Sequence, residues 1–169
     1  MLYIAVSSPF YYNMKKYLLL IFVACMCILQ SCKDEYTICN LPKEVRFIAS
    51  FYQRNNGADV LAPAPNLNVT QLGINAPLYT QQANVATFST ALNPQLDSVK
   101  YYVKLANSLA PDTLTIVYTS IGANLSPECG AITYHNLSKI YSTLNTIDSI
   151  KITNPLLNTD LLQNAKIYY

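Results

Sequence analysis

Residues 45–52 alternate strictly. Val45, Phe47, Ala49 and Phe51 fall on one side, with Arg46, Ile48, Ser50 and Tyr52 on the other. Period two with β-branched and aromatic residues predicts a strand with one buried face. The cluster Arg54-Asn55-Asn56-Gly57-Ala58-Asp59 follows and supplies the positive-φ positions of a hairpin turn. Residues 60–77 are less regular. Pro63 and Pro65 break a central strand, which places residues 67–72 at a sheet edge leading into Gly73. Leu78-Tyr79 and residues 85–90 read as short strands around a Gln81-Gln82 turn.

The pattern strengthens from Asp97 onward. Val99, Tyr101, Val103 and Leu105 alternate with Lys100, Tyr102 and Lys104, giving one buried and one wet face. Residues 107–111 turn the chain, and Leu114, Ile116 and Tyr118 then alternate with Thr113, Thr115 and Val117. Residues 121–128 read as a loop, and Cys129-Gly130 starts a further stretch through Tyr134. The pattern over 137–144 does not choose between a short helix and irregular chain. Residues 149–153 predict a strand with Ile150 and Ile152 inward, Pro155 interrupts, and 165–169 close as a terminal strand. Seven or eight short strands with turn clusters between them predict an all-β fold: a single antiparallel β-sandwich, with an Ig-like topology as the working guess. No alternation of strands with helices supports a parallel α/β sheet.

The N-terminal segment follows a different rule. Met14-Lys15-Lys16 is a positive start, and residues 17–29 are apolar and uncharged. As a helix those residues rise only about 20 Å, against roughly 30 Å of bilayer hydrocarbon. A removable export signal over 14–31 is therefore expected instead of a span. Leu29-Gln30-Ser31-Cys32 resembles a lipobox, which implies acylation of Cys32 and cleavage just before it. Residues 1–13 add nothing a signal needs and are read as an upstream extension from a start codon ahead of Met14. Lys33-Asp34-Glu35 resembles the lipoprotein export signal of Bacteroidota, which implies the outer face of the outer membrane, with the periplasmic side as the alternative. Residues 32–38 are then a tether and 39–169 the folded domain. Several acyl chains on one cysteine give lasting attachment where one is marginal.

Cleavage changes the charge. Loss of Lys15 and Lys16 takes 11 basic side chains to nine, equal to the nine acidic ones. No basic patch is left for nucleic acid. Few charges, no Trp, and much Asn, Thr, Ser and Tyr fit an extracytoplasmic β-protein better than a helical bundle. Cys25 and Cys27 leave with the signal and Cys32 is acylated, so Cys39 and Cys129 remain and are predicted to be bridged in an oxidising compartment. Closing a loop of about 90 residues stabilises by roughly 4–5 kcal/mol in the chain-entropy model. These two cysteines and the single His135 do not fill a four-ligand metal site, and no cofactor is expected.

Cys39, the first strand, Asp112-Thr113-Leu114 within the run 112–118, Glu128-Cys129-Gly130 and Ile147-Asp148-Ser149-Ile150-Lys151-Ile152 together resemble an uncharacterised lipoprotein family of Bacteroidota, a domain of unknown function of about this size. The resemblance implies a lipidated envelope protein with a paired-cysteine β-domain and carries no catalytic residues.

Candidate chemistry is sparse. A Ser-His-Asp triad has only His135 to use, and a lone histidine near a strand end is more often structural. Both candidate nucleophilic cysteines are expected to be oxidised. Asp97, Asp112 and Asp148 each open a strand, where Asp commonly satisfies turn amides. Four glycines leave no phosphate-cradling loop. Asp97-Ser98-Val99, Asp112-Thr113-Leu114 and Asp148-Ser149-Ile150 match the D-(S/T)-aliphatic pattern of Bacteroidota O-glycosylation, making Ser98, Thr113 and Ser149 candidate sites. Turn acid, hydroxyl, then aliphatic is equally how a strand begins. Of the ten tyrosines after residue 31, about half are expected in the core and the rest on an open sheet. No catalytic residue is assigned. The expectation is a non-enzymatic outer-membrane lipoprotein, serving in binding or envelope assembly with a protein or glycan partner. The alternatives are a small glycan-directed hydrolase, which needs a cleft with two converging carboxylates, and an accessory subunit of a surface complex, which needs an apolar patch or unpaired edge strand.

Overall fold

The computed structural model describes Tyr17, Leu18, Phe22 and residues 39–169. The first three are helical, and among the described residues no helix is long and apolar enough to cross a membrane. The expected signal, the acylated Cys32 and the tether otherwise lie outside the described residues. Cys39–Tyr169 is a compact unit of its own.

That unit is built of strands. The first five are β1 (Phe47–Asn55), β2 (Ala58–Leu61), β3 (Ala64–Gln71), β4 (Ala76–Val85) and β5 (Thr87–Thr90). Then come β6 (Ser98–Lys104), β7 (Asp112–Ser126), β8 (Gly130–Tyr141), β9 (Ser149–Ile152), β10 (Leu156–Leu157) and β11 (Ala165–Tyr168). One sheet runs β2-β1-β11-β9, with β5 sharing the β2 side of β1. The other runs β10-β8-β7-β6-β3-β4. Alternation drives the packing. Phe47, Ala49, Phe51, Phe88 and Ile167 point inward from the first sheet, facing Leu67, Val69, Tyr101, Leu114 and Ile116 of the second. Phe88 meets Tyr101 edge-on at 5.6 Å between the two layers. Each fully buried apolar side chain of this size stabilises by roughly 1.5–3 kcal/mol. The result is an all-β sandwich.

Several expectations need correction. The strands number eleven, not seven or eight. The Ig-like topology does not hold: β6, β7 and β8 form a meander within one sheet, and first-sheet β1 pairs parallel with β11. Residues 67–72 are not at an edge, since β3 pairs with β4 on one side and β6 on the other. Pro65 is tolerated because the β6 pairing begins only at Asn68. The Gln81-Gln82 turn is instead a bulge inside β4, where Gln81 takes φ 46° and its amide donates to Asn68 Oδ1 at 2.9 Å.

The β7–β8 hairpin holds the other two corrections. Residues 121–128, read as a loop, mostly continue β7 to Ser126, beyond the last pairing with β6 at Val117. This ribbon buries few side chains, so its sequence carries no alternation. Of residues 137–144, those to Tyr141 are the end of β8 and 142–144 are irregular chain; none is helical. Val117 opposes Lys139 while Tyr118 opposes Leu137, leaving Ser138 as the extra residue of a bulge. Its hydroxyl donates to the Val117 carbonyl at 3.1 Å. The bulge puts Leu137 and Ile140 on one face, three residues apart, which imitates helical spacing. Where the sequence and structure agree, the turn at Asn56-Gly57 joins β1 to β2 with φ values of 51° and 82°.

Candidate functional site

The outer face of the first sheet carries a cluster of charged and aromatic side chains. Parallel pairing sets Tyr52 opposite Tyr168 and Ser50 opposite Lys166, while β2 sets Asp59 opposite Arg54. Asp59 Oδ2 accepts from Lys166 Nζ at 2.8 Å and from Tyr168 Oη at 2.9 Å. The two cations each lie over a ring: Arg54 is 4.8 Å from the Tyr168 centroid and Lys166 is 4.8 Å from that of Tyr52. The two hydrogen bonds hold the Asp59 carboxyl below its ordinary value, and the same carboxylate raises Lys166. Tyr168 is raised by burial first and by the Asp59 bond second. Tyr168 is only 4% exposed, so its ring is a fixed seat for the guanidinium.

A cavity of about 300 Å³ opens at the end of this face, lined by Gln53, Arg54, Asp148, Ser149, Tyr168 and Tyr169. A second of about 550 Å³ adjoins Asp97, Tyr118 and Ser120, and a third of about 440 Å³ adjoins Arg46, Ile74 and Tyr79. None of the three is lined by two side-chain carboxylates.

The predicted site residues distribute as follows. Cys32, Lys33, Asp34 and Glu35 lie outside the described residues. Cys39 and Cys129 form a disulfide, with Cα atoms 4.9 Å apart. Ser98, Thr113 and Ser149 are all half-buried, at or next to strand starts. Asp97 and Asp148, which precede two of them, are exposed. Asp112 is different: it is 2% exposed and both carboxylate oxygens are committed. It accepts from Thr143 Oγ1 and the Asn145 amide at 2.8 Å each, and from the amides of Thr146 and Ile147 at 2.8 and 2.9 Å. Burial pushes this carboxyl up, but the amides of Asn145, Ile147 and Thr146 with the Thr143 hydroxyl outweigh it and hold it low. Asp112 is thus a latch for the turn after β8.

His135 is 3% exposed, and its Nδ1 lies 3.0 Å from Ser120 Oγ, the residue directly opposite on β7. Burial lowers its pKa. Its ring sits edge-on to Tyr118 at 5.3 Å. Among the described residues no carboxylate hydrogen-bonds the imidazole, so the pair is a cross-strand contact without the third member of a triad. Of the tyrosine pairs, Tyr101 is core and Tyr102 exposed, while Tyr168 and Tyr169 flank the cavity. Tyr52, Arg54 and Asp59 were not legible as one group with Lys166 and Tyr168. Their meeting depends on first and last strands pairing, which leaves no local mark.

No curated protein and no solved structure matches the chain. The region 66–169 matches a family model that begins inside β3, although β1 lies at the centre of the first sheet. That match spans more than half of the sequence, and the chain belongs to the family of unknown function DUF6452.

Proposed function

We propose that this protein is a lipoprotein of the Bacteroidota type, anchored in the outer membrane through acylated Cys32 with its domain toward the cell surface. Its β-sandwich serves as a non-enzymatic binding or envelope-assembly module. The basic start, short apolar run and Ser31-Cys32 step support the anchor. The Cys39–Cys129 bond is at home in an oxidising compartment. The observation that carries binding over hydrolysis is the Tyr52–Arg54–Asp59–Lys166–Tyr168 face, which is preorganised by hydrogen bonds and stacked cations. A glycan hydrolase needs two converging Asp or Glu side chains, and the three cavities offer one at most.

A second reading, an accessory subunit of a surface complex, is favoured by one feature. The outer strand β4 is ten residues long and carries no charged side chain. For O-glycosylation, Ser98 and Ser149 are better candidates than Thr113, because the acid before Thr113 is buried in the latch.

Labelled palmitate should enter the protein and be lost in Cys32→Ser. Whole-cell protease treatment should release the domain. Crosslinking in intact cells should capture a partner. No palmitate incorporation overturns the anchor, and protection from protease overturns surface exposure. An intact mass equal to that of the acylated peptide ends the glycosylation idea.

A further inference from the structure

We propose that the 300 Å³ cavity at the end of the first sheet's outer face binds a glycan unit bearing a single carboxylate, a uronate, with Arg54 as the residue that engages it. The inference rests on the binding-module reading above and names its ligand class.

Charge is the first reason. Among the described residues the contact ion pairs are Arg46–Glu44 and Lys166–Asp59, so Arg54 feels the Asp59 carboxylate opposite it but is in contact with no acid. It is exposed, and its guanidinium is seated 4.8 Å from the centroid of the Tyr168 ring, which Asp59 in turn holds. A guanidinium seated on a ring with its donors unspent is placed to fork a carboxylate. Beside it, Lys151 stands directly opposite Lys166 on the neighbouring strand. Like charges so placed are destabilising, and Asp59 relieves only one of them. Arg54, Lys151 and Lys166 against Asp59 and Asp148 leave the face and its cavity one positive side chain in surplus.

The rest of the lining selects the kind of anion. Asp148 is exposed at the same cavity, where it disfavours a multiply charged phosphate or sulfate. Beside one carboxylate it is tolerable, and it accepts hydrogen bonds from sugar hydroxyls. Gln53 and Ser149 add further donors and acceptors for sugar hydroxyls. The volume is at the lower end for ligand sites, which suits one sugar unit of a longer chain.

Calorimetric titration of the full chain in detergent tests this, using galacturonate and glucuronate trimers, each as free acid and as methyl ester. Ser149 cannot be both modified and part of the lining, so the protein used carries no glycan mass. The acid form of at least one trimer is expected to bind, with its ester about tenfold weaker or worse. Arg54→Lys keeps the charge but loses the fork, and should weaken the acid about tenfold, while Lys100→Ala should not. Amide shifts on binding should centre on Gln53, Arg54, Ser149 and Tyr169, a readout that stands even if the Arg54 variant misfolds. Equal binding of acid and ester overturns the uronate assignment yet leaves glycan binding standing. Competition by inorganic phosphate at equal affinity, undiminished binding in Arg54→Lys, or shifts elsewhere also overturn it. Binding of neither acid overturns it as well, whereas the binding-module reading fails only if crosslinking captures nothing.

Discussion

Cys39 is bonded to Cys129, so the residue that opens the domain is fastened to the turn of its longest hairpin, β7–β8. The bond closes a separation of 90 residues and joins a segment before β1 to a ribbon that extends past the second sheet. Replacing both cysteines by serine should lower unfolding stability by about 4 kcal/mol, since the unfolded chain regains the loop's freedom. Urea midpoints of parent and double variant under non-reducing conditions check this. An unchanged midpoint means that the hairpin holds its place without the bond.

Asp112 makes the turn after β8 part of the core. Its replacement by alanine leaves the amides of Asn145, Thr146 and Ile147 without their acceptor and should cost about 3 kcal/mol. The fold holds this carboxyl below the ordinary 3.8. Its contribution is therefore complete above that value and is lost as pH falls toward the depressed one, where protonation removes the acceptor charge. Thermal melts should show a steeper acid decline in the parent than in Asp112→Ala. Parallel declines would remove Asp112 from the account.

His135 provides a second window. The buried imidazole is held below 6.5, so the folded protein resists the proton that the unfolded chain accepts. Stability should be flat in pH above about 6.5 and fall below it until the depressed folded value is reached. As the only histidine, it has this window almost to itself. His135→Phe keeps a ring against Tyr118, strands the Ser120 hydroxyl at a cost of about 1 kcal/mol, and should abolish the slope. A persisting slope assigns the titration to another group.

Asn164, 1% exposed, ties three segments together. Its Oδ1 accepts from the Ile48 amide at 2.9 Å, and its Nδ2 donates to the carbonyls of Asn154 and Leu156 at 3.1 and 3.3 Å. Asn164→Leu should cost roughly 2–3 kcal/mol, because buried backbone groups lose partners that leucine cannot supply. Chemical denaturation measures it. A loss well under 1 kcal/mol would mean that water replaces the amide.

Sequence alone determined the strands whose two faces see different surroundings. Residues 47–52, 99–103 and 114–118 alternate because a strand's side-chain period is a local property, and burial of one face then selects apolar residues at every second position. The Asn56-Gly57 turn was legible for the same local reason: positive φ suits those residue types. The cysteine pair was legible by elimination.

Tertiary structure alone decided the rest. The Ser138 bulge shifted Leu137 and Ile140 into a helical-looking spacing, and β3 became an interior strand despite Pro65, because pairing partners are chosen by packing and not by propensity. Asp112 acquires its amides across 33 to 35 residues, and Asn164 reaches Ile48 across 116. The candidate site has the same origin. Arg54 and Tyr168 meet only because β1 and β11 lie side by side, and such a register is set by two sheets closing over one core.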